Sequence, residues 1–285
     1  MQRALGATSR QLFPIGLGAM PLSIAGRPEP EQAEATIAAA LEAGVELIDT
    51  ADCYCLDDDF GHNERLVATT LRRLGRQDVL VSTKGGIVRP DGRWESDARP
   101  AALRAACEAS LRRLQCEQLP LYHLHAPDPQ VPFIDSMGEL ARLREEGKIA
   151  AVGLSNVSRE QAELAQRIVP VTTLQNRCNV YAKQDLRNGL VKWCEQQRIT
   201  YLAYSAVGGH NGHVRLRDDE VLKTIANRHD TSVFCVALAW LLAKSPAVLP
   251  IPGASRPASI RASASATGIT LSADEIAAID ALPDQ

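Results

Sequence analysis

The sequence has no excess of basic residues: 31 Lys and Arg against 34 Asp and Glu leave a formal net charge of -3 over 285 residues. A chain balanced in this way carries no field for nucleic acid or an anionic membrane, and no local basic patch stands out along it. It also lacks any C-x-x-C pair. Its seven cysteines (Cys53, Cys55, Cys107, Cys116, Cys178, Cys194 and Cys235) are odd in number and scattered, so they read as reduced thiols and point to the cytoplasm. Cys53-x-Cys55 is half of a metal-ligand pattern without its second half, and no metal is expected there. Residues Met1 to Ser9 have no apolar segment of the signal-peptide kind. No stretch reaches the roughly 18 apolar residues that a spanning helix needs. Repeats, low-complexity tracts and Pro/Ser linkers are missing too, so residues 1–285 read as one domain, and the 45% hydrophobic content suffices for a large core.

What is present is an alternation. After a hairpin-like leader over Arg3 to Phe13, turned at Gly6 to Ser9, apolar runs with strand character recur at Ile15–Met20, from Val45, and at Val79–Thr83, Leu119–His125, Ala150–Ser155, Val171–Gln175, Thr200–Tyr204 and Val248–Ile251. Helical patterns alternate with them: Glu31–Ala43 stopped by Gly44, Asn63–Leu74 capped by Asn63, Pro100–Leu114, Phe133–Glu146, Arg159–Ile168, Leu186–Gln197, Asp218–Arg228 and Ser232–Lys244. Eight strands, each with a helix behind it, in about 250 residues predict an α/β fold of the (β/α)8 TIM-barrel type. A doubly wound sheet would carry G-x-G-x-x-G after its first strand, and Gly16-Leu17-Gly18 lacks the third glycine. Gly85–Arg99, Ala126–Pro132 and Val207–Arg217 are expected to be long rim loops.

Four reactive groups close successive strands. Asp49 ends the run Val45-Glu46-Leu47-Ile48, Tyr54 follows five residues later, Lys84 ends the next strand and His125 the one after it. Singly, each has a plain reading as a turn, surface or loop-core residue. Together, at the C-terminal ends of barrel strands, they occupy the place where barrels keep their active sites. A phenol beside an ammonium, with a carboxylate to pair the ammonium and an imidazole to orient a substrate oxygen, suits protonation of a carbonyl oxygen. Such a step implies hydride delivery to the carbonyl carbon, and so a nicotinamide cofactor. Ser155-Asn156 and Gln175-Asn176 offer polar groups of the kind a carboxamide needs, and Tyr204 an aromatic face.

The segments I-G-L-G-A-M, I-D-T-A-D-C-Y, S-T-K-G-G, L-H-A-P, V-G-L-S-N-V, L-Q-N, A-Y-S and I-P-G-A-S-R-P, in this order along nearly the whole chain, resemble those of the aldo-keto reductases. The resemblance implies a monomeric or weakly associating barrel that binds NADPH across its C-terminal rim and acts on a small carbonyl or alcohol substrate. It makes Tyr54 the general acid, Lys84 and Asp49 its tuning pair, and His125 the group that orients the carbonyl. Ser155, Asn156 and Gln175 would hold the carboxamide, Tyr204 would stack on the nicotinamide, and Met20 would join these cofactor contacts. Ser205, Ala206, Val207 and Gly208 would meet the pyrophosphate, and Gly253, Ser255, Arg256 and Ser259 the adenosine end. Arg256 and Ser255, at the start of a helix near Pro257, favour NADP, with NAD possible.

The resemblance is imperfect at three places. Tyr204-Ser205-Ala206-Val207 lacks the usual proline, Ala262-Ser263 replaces a Glu-Asn pair near the adenine, and Pro120 stands for an Asp at a strand start. Two other functions fit parts of the pattern: a non-catalytic module that senses nicotinamide on the same fold, and a metal-dependent hydrolase that uses His123 and His125, with His210 and His213 as further ligands. Trp94, Cys53, Cys55, His210 and His213 are candidates to line the substrate pocket, and an exposed thiol at Cys53 or Cys55 would make activity sensitive to oxidation.

Overall fold

The computed structural model describes residues 2–56 and 59–284. Eight parallel strands follow one another around a single sheet: β1 (Leu17–Gly18), β2 (Leu47–Asp49), β3 (Leu80–Gly85), β4 (Leu121–Leu124), β5 (Val152–Ser155), β6 (Val171–Arg177), β7 (Thr200–Tyr204) and β8 (Val248–Pro250). A parallel bridge between Gly18 and Gly253 closes the ring. Gly16 and Gly18 donate to Pro250 O and Pro252 O at 2.9 and 3.0 Å. A Cβ on Gly18 would stand 2.8 Å from Ile251 O, so the first strand meets the last only because these positions carry no side chain. The fold is the expected (β/α)8 barrel.

Helices cover the outside: α1 (Pro30–Glu42), α2 (His62–Arg73), α3 (Pro100–Leu114), α4 (Phe133–Glu145) and α5 (Arg159–Gln166), then α6 (Gln184–Arg187), α7 (Leu190–Gln196), α8 (Gly209–Asp218), α9 (Glu220–Arg228), α10 (Val233–Lys244), α11 (Pro257–Ser265) and α12 (Ala273–Asp280). The two-stranded leader Arg3–Ala4 with Gln11–Leu12 is present. Leu5 and Leu12 pack against Leu47, Leu80, Leu121, Leu202 and Leu249, so the leader plugs the apolar N-terminal end of the barrel.

Several local expectations are corrected. Asn63 does not cap α2; Gly61, at φ 75°, precedes the first turn. The Asn63 side chain is buried and donates to Ala19 O at 2.8 Å and Ser23 Oγ at 2.7 Å, and it accepts from Thr50 Oγ at 2.6 Å. The helical pattern Leu186–Gln197 breaks into α6 and α7 at Gly189, whose φ is 80°. The expected loop Val207–Arg217 is mostly helix α8. Gly85–Arg99 carries a small hairpin in which Ile87–Val88 pairs with Glu95–Ser96, whereas Ala126–Pro132 has neither helix nor strand.

Candidate active site

The end of β2 and the end of β3 lie side by side, with Asp49 in register with Ser82. Strand alternation then points Ser82 and Lys84 to the same side as Asp49, into the barrel. Lys84 is fully buried, and each of its three ammonium hydrogens has an acceptor: Asp49 Oδ2 at 2.6 Å, Thr50 O at 2.8 Å and Tyr54 Oη at 3.0 Å. Asp49 Oδ1 accepts from Ser82 Oγ at 2.9 Å and from Gln175 Nε2 at 2.8 Å. A buried ion pair with every polar atom bonded is one whose charges can persist inside a protein. Asp49, Lys84 and Tyr54 are therefore brought together as the sequence suggests. The Tyr54 and His125 rings meet edge to face, 5.7 Å between centroids.

The ammonium of Lys84 does not bring the phenol below its ordinary pKa. Burial first, and then the charge of Asp49, push Tyr54 well above its ordinary pKa. The ammonium cannot offset this, because its field is largely cancelled by the carboxylate 2.6 Å away. Tyr54 is thus held as the neutral phenol. Since Lys84 donates to the phenol oxygen, the hydroxyl hydrogen is left for another acceptor.

His125 is set by three contacts. Its backbone N–H donates to Gly85 O at 2.9 Å, its carbonyl accepts from Asn156 Nδ2 at 2.9 Å, and its Nδ1 lies 3.5 Å from Cys53 Sγ. Burial, followed by the charge of Lys84, lowers its pKa well below the usual histidine value, so the imidazole is neutral. Cys53 and Cys55 are both buried, and burial raises the Cys53 thiol well above its ordinary pKa. The expected exposed, reactive thiol is not found.

His123 has a different role. Its Nδ1 is 3.3 Å from Ser82 Oγ and its Nε2 is 2.8 Å from Thr173 Oγ1, and burial lowers its pKa to about 4. Hydroxyls take both ring nitrogens, and no group of three or more His, Cys, Asp or Glu able to hold a metal occurs among the described residues. His213 is exposed on α8, and the side chain of His210 lies outside the described residues. These contacts lend nothing to a metal-dependent hydrolase.

The residues proposed for a cofactor from sequence form an arc along the rim. Met20 packs against Ala51, Cys53 and Tyr54. Ser155 and Asn156 end β5, and Tyr204 at the end of β7 donates to Asn156 Oδ1 at 2.7 Å, tying the two strand ends together. Gln175 gives its amide nitrogen to Asp49. Ser205 has a φ of 51° and opens a turn closed by Gly208 N–H on Ser205 O at 2.9 Å. Ala206 turns its methyl into the core and Val207 packs on the same cluster, so the missing proline leaves a buried anchor rather than a loose flap. Gly253 is exposed, Ser255 and Ser259 are half-buried, and Arg256 is exposed at the N-terminus of α11, with no ion-pair partner among the described residues.

Sequence reading missed Ser82, the carbonyl of Thr50, the amide link from Asn156 to His125, and Cys53 as a neighbour of His125. Ser82 could have been found, since it stands two residues before Lys84 and so on the same strand face. The others depend on turns whose course no short pattern fixes.

A profile of the Aldo/keto reductase family matches residues 14–284. The chain is 32% identical to an uncharacterized oxidoreductase of Schizosaccharomyces pombe, over 93% of this chain and 85% of the relative. It is similar to the glycerol dehydrogenase of Gluconobacter oxydans, with a TM-score of 0.85 at 27% identity over 98% of this chain and 94% of that one. An aldo-keto reductase of Klebsiella pneumoniae, solved in complex with NADPH, has a TM-score of 0.83 at 29% identity and covers 100% of this chain and 96% of its own. With the profile spanning the barrel from before its first strand to beyond α12, the chain belongs to the aldo/keto reductase family of oxidoreductases.

Proposed function

We propose that the protein reduces an aldehyde or ketone to an alcohol, or runs the reverse oxidation, with NADPH as its preferred partner and Tyr54 as the proton donor. The observation that carries this reading is the buried Lys84 ammonium, bonded at once to Asp49, to Thr50 O and to the oxygen of Tyr54. When bound, a nicotinamide supplies the hydride for the carbonyl carbon. The chain's own residues do the rest. Tyr54 gives its free hydroxyl hydrogen to the carbonyl oxygen as the C–H bond forms, and Lys84 donates to the phenolate left behind. Asp49, oriented by Ser82 and Gln175, keeps Lys84 charged and in place. Neutral His125 orients the carbonyl oxygen beside Tyr54.

The rim suits a dinucleotide. The helices α8 and α11 both begin without a side-chain cap, which leaves their first N–H groups for anionic oxygens. Ser205 to Gly208 would hold the pyrophosphate there, and Gly253, Ser255, Arg256 and Ser259 the adenosine end. Ser155, Asn156 and Gln175 would hold the carboxamide, with Tyr204 and Met20 beside the ring. The guanidinium of Arg256, without an ion-pair partner among the described residues, supports the choice of NADP over NAD. The absence of disulfides among the described residues supports a cytoplasmic enzyme. Among the described residues no helix is long and apolar enough to cross a membrane. We take residues 1–285 as one domain and the enzyme as a monomer or weak oligomer.

Tyr54→Phe tests the assignment. NADPH affinity, measured by fluorescence titration, should stay close to wild type, while carbonyl reduction should fall at least about a hundredfold, the scale of a lost general acid. Unchanged turnover would sink Tyr54 as the acid. A wild type that binds NADPH but reduces no carbonyl would favour the sensing module instead.

A further inference from the structure

The turn that presents the Tyr54 phenol also presents a donor to His125. Tyr54 N–H donates to Ala51 O at 3.3 Å, and Ala51, Cys53 and Tyr54 pack together in one small buried cluster. Cys53 has no exposed surface. Its Sγ lies 3.5 Å from His125 Nδ1, within hydrogen-bond reach for sulfur, and it bonds to no other polar atom among the described residues. The His125 backbone is held separately, by Gly85 O and by the Asn156 amide, so Cys53 meets a ring whose place is already set.

A neutral imidazole carries a single N–H, and the bond made by one ring nitrogen decides which of the two holds it. His125 is neutral. Burial first, and then the charge of Asp52, hold the Cys53 thiol well above its ordinary pKa, so the sulfur keeps its hydrogen. That hydrogen has one acceptor, the lone pair of Nδ1. Were the ring hydrogen on Nδ1 instead, the thiol would lose its acceptor and Nε2 would turn a lone pair towards an incoming carbonyl oxygen. Nε2 is the open end of the ring: it has no partner among the described residues, and it is not shut off from water.

We infer that Cys53 is a positioning residue for the reaction: its thiol donates to His125 Nδ1 and so fixes the imidazole as the Nε2–H tautomer, the form that donates to the substrate's carbonyl oxygen. The inference rests on the carbonyl-reducing reading of the site and deepens it, since the carbonyl oxygen then accepts from His125 Nε2 as well as from Tyr54. A thiol suits this task better than a carboxylate would. A carboxylate beside Nδ1 would draw a hydrogen onto that nitrogen and favour the charged ring.

Nitrogen NMR of protein labelled with 15N-histidine tests this, because ring nitrogens with and without a hydrogen resonate far apart. The His125 signals are identified by their loss in His125→Gln. In the wild type at neutral pH, Nδ1 should be bare and Nε2 protonated. Cys53→Ala and Cys53→Val both remove the donor, and in both the two signals should move towards the averaged positions of a tautomer mixture. Valine, close to cysteine in volume, keeps the reading if the alanine variant loses its packing. Cys53→Ser supplies a hydroxyl donor and should bring the wild-type pattern back. With NADPH and a panel of aromatic and aliphatic aldehydes, kcat/KM should fall about three- to tenfold in the alanine and valine variants, the scale of one neutral hydrogen bond. NADPH affinity should stay close to wild type, and serine should recover most of the loss. A wild type with its hydrogen on Nδ1, a tautomer unmoved in both Cys53→Ala and Cys53→Val, or a loss of kcat/KM that serine does not recover overturns the inference. If the wild type reduces no aldehyde at all, the carbonyl-reducing reading is what has failed, and the NMR pattern alone then decides whether Cys53 sets the tautomer.

Discussion

Asp52 is the residue whose chemistry departs furthest from its type. It lies buried behind the Tyr54 loop, with Oδ1 unpartnered among the described residues. Nearby Glu64 is also buried, accepting from Thr83 Oγ1 at 2.6 Å and pairing with Arg113 at 3.2 Å. Burial first, and then the charge of Glu64, push the Asp52 carboxyl up to about 8, against the pull of Arg113. The folded state therefore binds this proton more tightly than the unfolded chain does. The associated stability is complete below the unfolded value near 4 and is lost as pH rises to about 8. Asp52→Asn has no such proton to lose. Its stability relative to wild type should rise between about pH 5 and pH 8 and then level off, by several kcal/mol at most, since each pKa unit is worth about 1.4 kcal/mol. Urea unfolding across that range checks this, and a difference independent of pH would mean that Asp52 ionises as an ordinary surface carboxylate. Asp49, Tyr54 and Lys84 were legible in the sequence because each closes or follows an apolar run. Asp52 was not, because D-C-Y-C reads as a turn and nothing in it announces a second buried carboxylate twelve residues after its start, at Glu64 on another element.

Among the elements, the strands were more legible than the segments between them, and for a physical reason. A barrel strand is buried on both faces, so it appears as an apolar run whatever packs around it. The segment Val207–Arg217 holds three glycines, which argue locally against a helix. It is helical because tertiary packing outweighs propensity: Leu216 is buried in the core, and Gly212 closes against Gly208, where a Cβ would stand 2.5 Å from the Gly212 carbonyl carbon. Strand β5 shows how one element steers chemistry on another. A Cβ on Gly153 would lie 2.2 Å from His123 Cδ2 and 2.5 Å from Thr173 Oγ1. Gly153→Ala must displace His123 from Thr173 and Ser82, and Ser82 is one of the two groups that donate to Asp49 Oδ1. Overpacking costs about 1–3 kcal/mol, and a broken buried hydrogen bond about 1–3 kcal/mol more. Gly153→Ala should thus lose about 2–6 kcal/mol in urea unfolding. It should also lower kcat more than it raises KM, because the change reaches the acid and not the substrate's outer contacts. A variant as stable and as active as wild type would show that His123 and Ser82 are not coupled to the site.

For the molecule as a whole, the order of eight strand-and-helix units is what a sequence can convey, while closure of the ring depends on Gly16 and Gly18 meeting the β8 backbone across more than two hundred residues. Closure also makes the cofactor choice measurable without catalysis. The proposed adenosine-binding residues Gly253, Ser255 and Arg256 follow the strand that β1 closes against, so a ligand held there bridges the two ends of the barrel. A ligand that binds only the native state raises stability by mass action, about 2.7 kcal/mol at a hundred times its Kd. For a chain of this size that is a rise of roughly 5 °C in Tm if the barrel melts as one unit. Arg256, exposed and without an ion-pair partner among the described residues, is a cation available for a 2'-phosphate. At equal concentrations NADPH should raise Tm more than NADH does. Arg256→Leu should remove most of that difference while leaving the NADH shift and the Tm of the free protein close to wild type, since the side chain packs against nothing that the fold needs. A difference between the two cofactors that persists in Arg256→Leu would assign phosphate recognition to other groups on the rim. Equal shifts in the wild type would overturn the preference for NADP itself.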